Sequence, residues 1–230
     1  MSLSWPKPAK ITSGCAAKTH IAYLGQVDYN TTLTAMQSYT RDRDADSADQ
    51  IWLVEHPGVY TRGRSSADTD ILRDLPYPLV DTDRGGQITY HGLGQLVVYY
   101  LIDLNRLEHL NLRSLIDDIE VTIQNILKHY NLVSYSDAQA RGVYVDTGKI
   151  ASIGLRYTKR GTYHGFALNV CPDLTPFDNI NPCGRAQKMV SIQQLTHQDV
   201  HDVIEVTYDA LLASCLLAGR SVQISASPLL

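Results

Sequence analysis

The feature that most constrains this chain is a change of hydrophobic period. Between residues 142 and 170, apolar residues alternate with period two in three successive runs: 142–145, 149–157 and 162–170. The breaks between them are Asp146-Thr147-Gly148 and Thr158-Lys159-Arg160-Gly161. Alternation of this kind marks strands, and short glycine-containing breaks mark tight turns. On either side the period is helical. Residues 111–130 carry Leu112, Leu115, Ile116, Ile119, Ile123, Ile126, Leu127 and Tyr130 at three-and-four spacing, with Asn111 as N-cap. Residues 196–217 repeat the pattern through Val200, Val203, Ile204, Tyr208, Leu211, Leu212 and Cys215, and Gly219 reads as the stop. Strands flanked by separate helices predict an α/β (α+β) domain with a mixed sheet flanked by helices.

Nearer the start, residues 20–24 read as a strand, 29–40 as a helix and 41–49 as a charged loop. Gln50-Ile51-Trp52-Leu53-Val54-Glu55 reads as a buried strand that His56-Pro57-Gly58 ends. A length of 230 residues suits one large core, read as a single domain over 19–220 with a loose lead-in (1–18) and a tail (221–230). The hydrophobic fraction of 44% and charged fraction of 19% are those of an ordinary globular protein. A net charge of -4 with no basic cluster argues against nucleic-acid binding. The start lacks a charged segment followed by an apolar run, so no secretory signal is read. The apolar stretch Leu96-Val97-Val98-Tyr99-Tyr100-Leu101-Ile102 is far too short for a membrane span. Cys15, Cys171, Cys183 and Cys215 lack CxxC spacing, which fits reduced thiols in a cytoplasm.

Three segments carry chemistry. Cys183 sits in Ile180-Asn181-Pro182-Cys183-Gly184, where turn residues place a thiol at a loop bend rather than in a core. Lys149 sits in Gly148-Lys149-Ile150-Ala151-Ser152-Ile153-Gly154, at the start of an apolar strand. A thiol reacts as thiolate, and a nearby ammonium favours that form, so a Cys paired in space with a Lys is a candidate acyl-transfer nucleophile. The bland alternatives are a small buried Cys and a surface Lys at a hairpin. Cys171 before Pro172 is a decoy, and Cys215 belongs to a helix's apolar face. The third segment, Arg84-Gly85-Gly86-Gln87-Ile88-Thr89-Tyr90-His91-Gly92-Leu93-Gly94-Gln95, is a glycine-rich wall whose N–H groups are open to a ligand. It is neither a P-loop nor a GxGxxG fingerprint. His91 lines the site without an assigned role. Zinc spacing, HExxH and GxSxG are all missing.

Taken together, these segments resemble one family, the lipoyl(octanoyl) transferases. These enzymes move an octanoyl group from acyl carrier protein to lipoyl domains of 2-oxoacid dehydrogenase E2 subunits and the glycine cleavage H protein. The likeness runs from about His20 to Leu195 and adds His56-Pro57-Gly58-Val59-Tyr60-Thr61-Arg62-Gly63-Arg64 and His164-Gly165-Phe166-Ala167-Leu168-Asn169-Val170 to the segments above. It implies a fold like that of biotin and lipoate protein ligases, with Cys183 as acyl-thioester nucleophile and Lys149 lowering its pKa. It further implies an acyl pocket lined by Arg84, Gly85, Gly86, Gln87, Ile88, Thr89, Tyr90, His91, Ser152, Ile153, Gly154, Gly165, Phe166 and Ala167. No ATP or metal is implied, because a thioester is already activated, and a cytoplasmic monomer is expected. One position departs: Leu93 stands where the family usually has Pro, which restores an N–H and frees φ. The competing expectations are an ATP-dependent lipoate ligase of the same fold and a non-catalytic acyl-carrier-binding relative.

Overall fold

The computed structural model describes residues 18–107, 110–137, 140–181 and 188–225. Cys183 and the lead-in up to residue 17 therefore lie outside the described residues. In chain order the elements are β1 (Lys18–Gln26), α1 (Tyr29–Asp42), β2 (Asp49–Glu55), β3 (Val59–Arg62), β4 (Leu79–Asp81), β5 (Thr89–His91), β6 (Gln95–Leu101), α2 (Leu112–His129), β7 (Tyr135–Ser136), β8 (Gly142–Val145), β9 (Gly148–Thr158), β10 (Gly161–Asn169), α3 (Ile192–Thr196), α4 (Val203–Leu212) and β11 (Ser221–Ser225).

The predicted strands pair as β8-β9-β10, an antiparallel meander next to the β7 edge of an eight-stranded sheet ordered β11-β1-β2-β6-β10-β9-β8-β7. β1 runs parallel to both β2 and β11, so the sheet is mixed. α2 and α4 cover one face, where Leu115, Ile119, Ile123, Ile126 and Leu211 pack on Ile51, Val98, Phe166 and Ile150. α1 covers part of the other face through Met36, against Trp52, Val97, Tyr99 and Ala167. A three-stranded sheet, β4-β3-β5, stands beside that second face and has its own cluster of Tyr60, Ile88, Tyr90 and Phe177. Asn111 caps α2 as expected, accepting from the N–H groups of Arg113 and Ser114 at 2.9 and 3.0 Å. Among the described residues, no helix is long and apolar enough to cross a membrane.

The helix predicted over 196–217 is not continuous. α3 ends at His197, whose φ of 55° is left-handed, and α4 begins only at Val203. The intervening residues are polar except Val200, and the two aspartates bond elsewhere: Asp199 accepts from Gln193 at 2.8 Å, and Asp202 from Tyr130 at 2.7 Å. After α4 the helical phase is lost again in a 3₁₀ turn, Cys215–Leu217, capped by the buried Asp118 through the N–H groups of Cys215 and Leu216. That turn buries Leu216 and Leu217 and exposes Cys215, so its expected place in a helix's apolar face is corrected. Residues 221–225, read as tail, add β11 to the sheet edge.

Candidate active site

The site is built on the face of the large sheet that the small sheet stands beside. Two cross-strand rows make its floor. Tyr99 of β6 pairs with Gly165 of β10, which pairs with Gly154 of β9. Val97, Ala167 and Ser152 form the next row. Because side chains on paired residues share a face, each row is a line of mostly small groups. The glycine-rich segment closes over this floor. Gly85 N–H donates to Leu155 O at 2.9 Å, and a Cβ on Gly154 would lie only 3.0 Å from Gly85 O. Between floor and wall lies a cavity of about 520 Å³.

Lys149 reaches this cavity through a register irregularity. The β8–β9 pairing steps from Val143↔Ala151 to Tyr144↔Lys149, leaving Ile150 as an extra residue in β9. A bulge of this kind reverses side-chain alternation beyond it. Ile150 and Ala151 accordingly both enter the core beneath α2, and Lys149 joins the face of Ser152 and Gly154. Strict alternation from Ser152 would have turned Lys149 into that core. Its residue is 4% exposed; Nζ donates to Arg141 O at 3.0 Å and lies 5.4 Å from the Tyr144 ring centroid. On its backbone side, Lys149 N–H donates to Lys188 O at 2.8 Å and Lys149 O accepts from Val190 N–H at 3.0 Å. Lys188 is the fifth residue after Cys183 in the chain.

Arg84 is buried under the wall, where its Nη2 donates to Thr61 O and Oγ1 at 2.6 and 2.9 Å and Nη1 to Gly85 O at 3.0 Å. Three buried histidines surround this region. His91 Nδ1 donates to Gln95 Oε1 at 2.7 Å, and its ring stacks on Tyr29 with centroids 5.7 Å apart. His56 Nδ1 donates to Val27 O at 2.7 Å, while its Nε2 accepts from Tyr99 OH at 2.7 Å. Burial lowers the pKa of His91 to about 3 and of His56 to about 4, so both rings are neutral at physiological pH. His164, at a left-handed φ of 60°, meets Asp83 Oδ1 at 3.1 Å. Two hydrogen bonds, from His164 and Tyr163, hold the Asp83 pKa down to about 2 against its desolvation. Among the described residues, no group of three or more His, Cys, Asp or Glu is placed to hold a metal.

Of the residues expected around the acyl pocket, Arg84, Gly85, Gly86, Gln87, Ile88, Thr89, His91, Ser152, Ile153, Gly154, Gly165, Phe166 and Ala167 line this one cavity together with Lys149. Tyr90 does not. On the short strand β5 it points opposite to Thr89 and His91, and packs between Tyr60, Tyr77 and Phe177 at centroid distances of 5.3, 5.5 and 5.5 Å. Tyr29, Tyr99, Leu112, Ile116, Arg141 and His164 also line the cavity without having been singled out as pocket residues. Tyr99 lies in an uninterrupted apolar run, so only its pairing with Gly165 identifies its face. Leu112 and Ile116 read simply as core positions of an amphipathic helix.

Residues 28–212 match the family model described as the lipoyl protein ligase A/B catalytic domain. The chain is 50% identical over 177 residues to an octanoyltransferase of Shewanella woodyi, covering 76% of this chain and 80% of that relative. It is 46% identical over 202 residues to an octanoyltransferase of Shewanella amazonensis, covering 85% of this chain and 93% of the relative. Among solved structures, a bi-partite lipoate protein ligase from Thermoplasma acidophilum shares the fold with a TM-score of 0.72, over 93% of this chain and 88% of that one, at 13% identity.

Proposed function

The chain belongs to the lipoyl protein ligase A/B catalytic domain family, and from that premise we propose that it is an octanoyltransferase of protein lipoylation. The observation that carries this reading is half-identity to octanoyltransferases over three quarters of the chain, spanning both Lys149 and the glycine-rich wall. Lipoate ligases have the same fold, but the likeness at 13% identity is one of fold alone.

In this reading Cys183 is the nucleophile. Its thiolate attacks the carbonyl carbon of octanoyl-acyl carrier protein, the carrier's C–S bond breaks, and the carrier thiol leaves with a proton. The ε-amine of a lysine on a lipoyl domain, of a 2-oxoacid dehydrogenase E2 subunit or the glycine cleavage H protein, then attacks the enzyme thioester. An amide forms, the amine gives up its proton, and the Cys183 thiolate is regenerated. Both steps exchange an already activated acyl group, so neither ATP nor a metal is needed. Lys149 holds a positive charge on the cavity wall, and its backbone is bonded to Lys188, close in sequence to Cys183. A cation so placed favours thiolate over thiol. The apolar part of the cavity takes the acyl chain, each buried methylene contributing about 0.8 kcal/mol. A cytoplasmic, monomeric enzyme completes the reading.

Intact mass after incubation with octanoyl-carrier, without ATP or acceptor, tests it. One octanoyl adduct that disappears in Cys183→Ala is the expected result. No adduct, with octanoyl-adenylate formed once ATP and octanoate are supplied, would replace the transferase by a ligase.

A further inference from the structure

Two buried amide side chains, Gln95 and Asn169, have no part in the transfer chemistry just described. Each is nearly inaccessible, at 2% and 1% exposure, and polar groups are carried into a core at a cost unless fully bonded. Their hydrogen bonds run in one direction. Arg84 Nη2 donates to Thr61 Oγ1 at 2.9 Å, and the Thr61 hydroxyl in turn faces His91 Nε2 at 3.4 Å. His91 Nδ1–H donates to Gln95 Oε1 at 2.7 Å. Gln95 Nε2 donates to Asn169 Oδ1 at 2.9 Å, and Asn169 Nδ2 donates to Val190 O at 3.1 Å. Val190 N–H then donates to Lys149 O at 3.0 Å.

The direction is forced at several points. Val190 O can only accept, so Asn169 must present its NH₂ there and its carbonyl to Gln95. Gln95 must therefore turn its NH₂ to Asn169, an orientation that its second contact, with Tyr90 O at 3.3 Å, also requires. Its carbonyl is left for His91, which must carry its proton on Nδ1. A neutral ring with that one tautomer satisfies the chain, its bare Nε2 facing the Thr61 hydroxyl while Thr61 Oγ1 accepts from Arg84. Linked bonds of one polarity reinforce each other in a low-dielectric interior. The chain joins the glycine-rich wall to the short bridge between Lys149 and Met189, spanning elements far apart in sequence.

Resting on the reading of Lys149 given above, we infer that Gln95 and Asn169 are positioning residues: through a one-way hydrogen-bond chain from His91 to Val190, they hold Lys149 in place on the cavity wall. His91 is the anchored head of this chain and does not carry protons in the reaction.

The test uses full-length protein with the near-isosteric variants Asn169→Leu and Gln95→Met, and Lys149→Met as reference. Hydrogen exchange of the Val190 amide reads whether the residue held by Asn169 keeps its bond to Lys149 O. Protection is expected to fall on the order of tenfold or more in both variants. Unchanged protection in folded variants overturns the inference, whatever the enzyme's chemistry. Transfer assays read the consequence: kcat should fall on the order of 10- to 100-fold while KM for octanoyl-carrier moves less than about threefold. The pH profile of Cys183 alkylation should shift in the same direction as in Lys149→Met. A lowered melting temperature with kcat and profile unmoved means mere packing and also overturns it. If Lys149→Met itself leaves the profile in place, the reading of Lys149 has failed, and the exchange result alone decides the chain. Gln95→Glu, which keeps the acceptor for His91 but offers Asn169 no donor, supplies the same readouts should either apolar variant not fold.

Discussion

Replacing Gly142 by Ala is a one-carbon perturbation aimed at Lys149. Gly142 pairs with Ser152 across the β8–β9 ladder and has a φ of 146°, a conformation that L side chains rarely adopt. A Cβ there would lie 2.5 Å from Lys149 Cε, 3.0 Å from Nζ and 2.6 Å from Ala151 O. Carbon atoms pack at about 3.5–4.0 Å, so Lys149 Cε must withdraw by roughly 1 Å. The carbonyl of Ala151 is part of the ladder and yields less. Backbone strain at such a position costs about 1–3 kcal/mol, to be read as a lower urea midpoint. The displacement of Lys149 is the functional part. A misplacement of about 1 Å is worth up to about 100-fold in rate, and here it also breaks the Nζ bond to Arg141 O. Steady-state octanoyl transfer, assayed at a temperature where the variant is folded, should show a kcat loss of at least about tenfold. A folded Gly142→Ala with kcat within twofold of the parent would refute the assignment of Lys149's position to the site.

Two other perturbations address the frame around the site. Asp49 is fully buried, accepting from Arg43 Nη2 at 2.5 Å, from Arg220, and from the Asp103 N–H at 2.8 Å. Removing the carboxylate in Asp49→Ala should cost about 3–5 kcal/mol in urea unfolding, and a loss below about 1 kcal/mol would show that the buried pairs contribute little. The buried histidines give a pH dependence whose sign follows from their lowered pKa values. The unfolded chain takes up protons near pH 6.5, whereas folded His56 and His91 refuse them until about 4 and about 3. Stability is therefore fully present above about pH 7 and lost as the pH falls from 6.5 towards 4, by about 4 kcal/mol for the two rings between pH 7.5 and 5. A urea midpoint that is level over that range would contradict the neutral-histidine core.

Much of the scaffold was legible in the sequence because periodicity reports local geometry directly. The alternating runs from Gly142 onward form the β8-β9-β10 meander, and the apolar stripe of α2 with its Asn111 cap is present as read. The misreadings arose where a distant partner overruled the local pattern. Residues 197–202 break the last helix because Asp199 and Asp202 bond to Gln193 and to Tyr130, the residue that caps α2. Cys215 left its expected apolar face because Asp118, 97 residues earlier, caps the turn that contains it. In the site, the glycine-rich wall is visible as composition, but Tyr90, expected among the pocket residues, is turned away by the alternation of β5.

Residue types and local conformations are written in the chain itself: a lysine opening an apolar strand, glycines where a wall must come close, and motifs shared with one family of acyltransferases. Those properties are local, and a single strand or turn expresses them. Tertiary structure decided which face each residue serves. One extra residue opposite β8 turns Lys149 from the core to the cavity, and nothing in Lys149-Ile150-Ala151 marks it, because a bulge is defined by the partner strand. The tautomer of His91 was likewise settled at a distance. Gln95 and Asn169 lie 74 residues apart, and only the packed sheet brings their amides together in an order that gives each amide oxygen and nitrogen a partner.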